Sequence, residues 1–123
     1  MFDADLAYNL TELIVENLEI ILKRTKDIHS PEDFTSSETG MILLDSVCMK
    51  LAAIGESVKN LDKVTNKELL INYQEIQWKH VIGMRDIIVH HYFDIDAEEI
   101  FKTIKEDLPD LIATSIKIKS NLN

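Results

Sequence analysis

The chain has little of what interrupts or staples a fold. Its 123 residues include 3 Gly, 2 Pro and 1 Cys. One cysteine, Cys48, excludes an internal disulfide. Its neighbours Val47, Met49 and Leu51 mark it as a small buried apolar side chain of a reducing compartment. So few Gly and Pro exclude turn-rich and low-complexity architectures, and no internal repeat is present. No stretch reaches about 18 consecutive apolar residues, so no membrane span is expected. The first residues, MFDADLAYNL, carry acids and no basic run, unlike a secretory leader, and a cytoplasmic location is expected. Basic charge is also scarce: 13 Lys and Arg stand against 22 Asp and Glu, for a net charge of −9. Nucleic-acid affinity comes mainly from basic surface. This balance argues against a constitutive nucleic-acid binder and points to narrow RNA contact or a basic partner.

What is present is apolar periodicity. The chain is 46% apolar and 28% charged, ordinary for a globular protein. Its length suits a single domain over residues 1–123, able to bury roughly two thirds of the unfolded chain's surface. Leu6, Leu10, Leu13, Ile14, Leu18, Ile21 and Leu22 recur at three- and four-residue spacing and predict a helix from about 5 to 26. Residues 25–35 read as a loop. Thr35 and Glu38 form a capping-box pair ahead of a helix from about 37 to 60, whose stripe is Met41, Leu44, Cys48, Leu51 and Gly55. A glycine inside so strong a helix marks the close approach of another backbone. Thr65 and Glu68 repeat the capping pattern before a short helix ending near Leu70. Trp78–His90 reads as a third long helix with Val81, Met84 and Ile88 inward. Asp96 and Glu99 then open a last helix carrying Ile100, Ile104, Leu108, Leu111, Ile112 and Ile116, which Pro109 should kink or split. Four main amphipathic helices plus a short one predict an all-α antiparallel bundle.

The stretch Trp78–Asp96, WKHVIGMRDIIVHHYFDID, holds the candidate chemistry. Arg85 and Tyr92 share a face if the helix continues that far. Arg85 and His90 are five residues apart, about 140° around a helix. They converge only where the helix ends or across a dimer. Asp86 and His90 share a face, so the carboxylate is placed to orient the imidazole. An Arg–His–Tyr group suits a phosphodiester. Arginine holds a phosphate bidentately and stabilises charge gathering on it. Histidine moves protons near neutral pH. A tyrosine hydroxyl binds phosphate or its ring stacks on a base. On spacing alone the alternative is structural: Arg85 pairing with surface acids and His90 capping the helix end. His80, His90 and His91 near Asp94 and Asp96 match no strong metal-ligand spacing, so no metal is expected. Trp78, Tyr73 and Phe93 are expected in the core or an interface. Lys59, Lys63 and Lys67 read as a solvated face.

Arg85, four residues, His90, any residue, Tyr92 resembles the HepT pattern of the HEPN superfamily. Asp86 matches the polar residue that follows the family's arginine. Ile54-Gly55-Glu56-Ser57 resembles the family's IGE segment. Trp78, Gly83-Met84-Arg85-Asp86 and His90-His91-Tyr92 resemble its W…GMR…HxY block, and Asp94-Ile95-Asp96 with Leu108-Pro109 its C-terminal pattern. The resemblance covers about residues 5–118.

That resemblance implies a HEPN-like bundle, a homodimer joining two Arg–His motifs in one cleft, and a metal-independent, cofactor-free endoribonuclease acting on cellular RNA, tRNA among the proposed substrates. It implies a toxin whose antitoxin is an MNT-type minimal nucleotidyltransferase, which in some pairs transfers AMP to the motif tyrosine, here Tyr92. Carried over, Arg85 and His90 are the catalytic residues, Tyr92 the substrate contact and modification site, and Asp86 a supporting polar residue. Glu56 faces the site or interface, or is a plain surface carboxylate. The competing reading is a non-catalytic helical subunit that binds or regulates the nucleotidyltransferase.

Overall fold

Asp3 starts the first helix. Its carboxylate accepts from the backbone N–H groups of Asp5 at 3.0 Å and Leu6 at 3.1 Å, two of the donors that a helix N-terminus leaves without partners. The structure, a computed structural model, describes residues 2–123. Helix α1 spans Ala4–Arg24, α2 Glu32–Thr35, α3 Glu38–Val64, α4 Trp78–His90, α5 Ala97–Lys102 and α6 Leu108–Leu122. A 3-10 turn covers Leu70–Asn72, and a π-helical segment, Thr103–Asp107, joins α5 to α6. Among the described residues there is no strand. Helix α1 packs on α3 and α6, and α3 packs on α4, so the predicted all-α bundle of four main helices is present. The fourth is the composite of α5, the π segment and α6.

The helices meet through the central part of each stripe. Ile14, Leu18 and Ile21 of α1, Val47, Leu51, Ile54 and Val58 of α3, and Val81, Met84 and Ile88 of α4 are buried with Leu108, Leu111 and Ile118 of α6. The stripe margins lie outside this core. Leu6, Leu13, Met41 and Ile116, read from sequence as inward, are exposed. In α1 the buried row runs instead through Ala7, Thr11, Ile14, Leu18 and Ile21, about 100° from Leu6 and Leu13. Phe34 of α2 is fully buried, so part of the predicted loop is a one-turn helix that plugs the core.

Two predicted start signals are corrected. Thr35 belongs to α2, and Ser37 caps α3, its Oγ accepting from the Gly40 N–H at 3.0 Å. Thr65 opens no helix. Its buried hydroxyl donates to the Leu61 carbonyl at 2.7 Å and closes α3, four residues beyond the predicted end. Asn66 and Lys67 then take left-handed φ values of 57° and 61°, and the Lys67 N–H returns to the Asp62 carbonyl at 2.8 Å. This is the reversal by which helices commonly terminate. The Asp96 signal holds, its carboxylate accepting from the Glu98 N–H at 2.9 Å. Pro109 is the second residue of α6, in a helix that runs on without a gap from Ala97. The wider turns of Thr103–Asp107 precede it, so the helix changes pitch there instead of breaking.

Gly55 fixes the crossing of α3 and α4. A Cβ built on it would lie 2.9 Å from the Val81 carbonyl oxygen and 3.3 Å from the Arg85 nitrogen. The close approach read from the sequence is therefore a contact with the α4 backbone itself. Gly55→Ala should lose about 1 kcal/mol in urea unfolding, because crowding of about 1–3 kcal/mol exceeds the gain of about 1 kcal/mol in helix propensity. A raised urea midpoint would show that α4 moves aside freely. Cys48 is buried on α3, and burial, with the Asp45 carboxylate adding to it, pushes its thiol up to about 11. At pH 8, iodoacetamide should spare the native protein while alkylating the urea-unfolded chain. Equal rates in the two states would show that α3 opens around Cys48.

Candidate active site

Helix α4 carries the candidate residues on faces set by its buried row. Val81, Met84 and Ile88 point into the core. At about 100° per residue, Lys79, Gly83, Asp86 and His90 then point away from the core, and Arg85 lies on the flank that meets α3. Its N-terminal end is anchored by the Trp78 indole, which donates to the Tyr73 carbonyl at 2.8 Å. Trp78 and Tyr73 pack with the core as expected. The helix stops at His90, and the His91 N–H closes it on the Ile87 carbonyl at 3.1 Å. Tyr92 therefore lies in the connection to α5, and a helical face shared with Arg85 does not apply to it.

The structure places Arg85, Asp86, His90 and Tyr92 all at the surface. It joins two of them. The Arg85 guanidinium donates to the Asp86 carboxylate at 3.0 Å, with side chains 51% and 65% exposed. The expected contact of Asp86 with His90 is not formed, because the carboxylate turns to Arg85. Adjacent helical positions point about 100° apart, and the long arginine side chain spans that gap. An Arg-Asp dipeptide on an exposed helix was the available signal for this pair. Arg85 and His90 remain on different sides of α4, as their spacing requires. His91 Nδ1 lies 3.5 Å from the Asp94 carboxylate. Among the described residues, no group of three or more His, Cys, Asp or Glu side chains is placed to hold a metal ion.

Tyr92 is 64% exposed, and its ring meets Phe93 edge-on with centroids 5.4 Å apart. Phe93 is fully exposed, so it is no core residue. Glu56 is exposed on α3 beside the Gly55 crossing. Lys59, Lys63 and Lys67 are solvated. A cavity of about 520 Å³ lies across α4 from Arg85, floored by Leu51, Val81, Met84 and Leu108 and rimmed by Glu99 and Asp107. Arg85, His90 and Tyr92 do not line it. Within one chain the candidate residues thus form an exposed ridge, not a cleft.

The fold is an all-helical bundle with Arg85 and His90 exposed on α4 and Tyr92 exposed just beyond its end. The chain belongs to the HepT-like ribonuclease family of the HEPN superfamily, whose family model matches residues 14–118. It is 36% identical to the Thermococcus cleftensis protein named "Probable ribonuclease HepT", over 81% of this chain and 84% of that one. It is 35% identical to an RNase candidate of Caldanaerobacter subterraneus subsp. tengcongensis, over 81% of this chain and 82% of that one. A Methanocaldococcus jannaschii protein, named for a gamma-glutamylcyclotransferase and an RNase candidate, is 34% identical over 89% of this chain. The chain spans only 46% of that protein's length. No solved structure matches the chain.

The exposed Arg85–Asp86 pair contributes little to the fold, since ion pairs of this kind are worth about 0–1 kcal/mol. Asp86→Asn should change the unfolding free energy by less than about 0.5 kcal/mol. A larger loss in urea titration would make Asp86 a structural residue instead of a group held at the surface.

Proposed function

We propose that the chain is a metal-independent endoribonuclease, the toxin of a HEPN/MNT pair, working as a homodimer. The observation that carries this reading is the exposure of Arg85, His90 and Tyr92 at the C-terminal end of α4, inside the segment matched to a ribonuclease family. A core-packed helix holds Arg85 and His90 on a rigid support with Tyr92 just beyond its end, and nothing in the described chain covers them. Arg85 binds the scissile phosphate. The phosphate displaces Asp86 from the guanidinium, which becomes a bidentate clamp on the charge that gathers in the transition state.

His90 moves protons. The ribose 2′-hydroxyl gives its proton to the imidazole, and the oxygen attacks the adjacent phosphorus. The bond to the 5′-oxygen breaks, and that oxygen takes up a proton from water or an imidazolium. One product ends in a 2′,3′-cyclic phosphate and the other in a 5′-hydroxyl.

The dimer supplies what one chain lacks. Arg85 and His90 are about 140° apart on α4, so a second copy set against the ridge brings the arginine of one chain toward the histidine of the other. Ile42 and Met49 on α3, with Val89 and Phe93 at the end of α4, are exposed apolar groups suited to that contact. The antitoxin is an MNT-type nucleotidyltransferase that transfers AMP to the exposed Tyr92 hydroxyl. The added bulk and negative charge at this helix end oppose binding of RNA phosphate. The net charge of −9 favours a second reading, a non-catalytic subunit of that nucleotidyltransferase.

The test is cleavage of total cellular RNA in EDTA by wild type, Arg85→Ala and His90→Ala, each first confirmed folded and sized by light scattering. Wild type should be a dimer and leave 2′,3′-cyclic phosphate ends. Each variant should lose about 10²–10⁴-fold in rate. A folded, unmodified wild-type dimer that cleaves nothing would transfer the case to the non-catalytic subunit. Full activity in His90→Ala would remove that residue from the site.

A further inference from the structure

Gly83 lies inside α4, where glycine is the poorest helix former after proline. Unlike Gly55, it has no internal reason to be there. A Cβ built on Gly83 meets nothing within 4 Å. Neither packing nor a left-handed φ calls for it, since no glycine in the described chain has positive φ. Its place on the helix is informative. Lys79, Gly83, Asp86 and His90 follow one another at four, three and four residues, a single row opposite the buried Val81, Met84 and Ile88.

Every side chain of this row is polar and exposed. The one negative group, Asp86, is held by Arg85 at 3.0 Å. A cation, a flat gap and a histidine therefore run along one line. Lys79 and His90 are separated by about 16 Å of helix at about 1.5 Å per residue. Two exposed apolar residues of α4 flank the row, Val89 about 100° from His90 on one side and Ile87 one turn beyond Gly83 on the other. A face between protein copies is expected to have an apolar centre. Here the centre of the face is a polar row with a cationic end, set between the Ile87 and Val89 margins, and that centre suits a sugar–phosphate chain.

We propose that Gly83 and Lys79 form an RNA-backbone subsite on α4, where the strand leading to the scissile phosphate lies against the bare Gly83 surface, its phosphate held by Lys79 and the reacting nucleotide at His90. The inference rests on RNA being the substrate. The missing Cβ lets the backbone approach the helix closely. The narrow row also fits an acidic protein that touches RNA along one line.

The test uses the full chain and a mixed-sequence 2′-O-methyl RNA oligonucleotide, which binds without being cleaved. Binding is read by fluorescence anisotropy over a salt series, with cleavage of cellular RNA measured alongside. Gly83→Ala should raise the melting temperature by about 3–5 °C while weakening oligonucleotide binding and cleavage by about tenfold or more. Lys79→Gln should weaken binding and flatten the slope of log K against log salt by about 0.7, the value for one phosphate contact on a single strand. Unchanged binding in Gly83→Ala, or an unchanged salt slope in Lys79→Gln, overturns the subsite. Dissociation of a wild-type dimer by Gly83→Ala overturns it in favour of a contact between copies. If wild type binds the oligonucleotide through these residues but cleaves no RNA, the nuclease reading fails and the subsite stands.

Discussion

The site depends on one steric constraint, the contact of the α3 backbone with the α4 backbone at Gly55. With no Cβ in the way, the Val81 carbonyl and the Arg85 nitrogen settle against α3. That seating decides the rotation of α4. The row Val81, Met84, Ile88 turns into the core, and every other position follows from helical geometry. Arg85 lies on the α3 flank, and Asp86 and His90 point outward. Any side chain at residue 55 displaces the helix that carries the site. A residue with no chemistry of its own thus controls where the candidate residues point.

The second constraint is electrostatic. An acidic chain that acts on RNA must confine its attraction to a small area, and its arginine is held by the neighbouring carboxylate at 3.0 Å. In high-dielectric surroundings such a pair is weak. It does not lock Arg85, but in the proposed mechanism it sets a competitor that a phosphate must displace. A doubly ligated phosphate succeeds where a weak single contact does not. This suits an enzyme that engages RNA at one place and leaves the rest of its surface repelling it.

How far the elements were legible depended on how many structures each local signal supports. Sustained apolar periodicity has one low-energy meaning, so α1, α3 and α4 were readable as helices and α4 was bounded correctly at both ends, while the margins of the α1 and α3 stripes were not. Single hydroxyl signals are degenerate. A threonine that accepts from a following N–H starts a helix, and one that donates to a preceding carbonyl ends it. Thr65 does the second, and Thr35 lies inside α2 and caps nothing. An aspartate carboxylate only accepts, so Asp3 and Asp96 have one role, as N-caps. Pro109 constrained its own φ, but its presence did not say that the helix would continue through π-helical turns before it.

The sequence by itself determined the all-helical architecture and the close approach at Gly55, and it singled out Arg85, Asp86, His90 and Tyr92 as candidates. Each of these is a local property of spacing or residue type, and spacing survives folding unchanged. Only the tertiary structure decided which atoms meet. Asp86 turns to Arg85 and not to His90, Phe93 stands free of the core, and Gly83 has nothing above it. The Arg85–Asp86 contact is local to α4, but the outcomes at Phe93 and Gly83 depend on what distant segments place nearby. A one-dimensional pattern carries no information on that until the helices have packed.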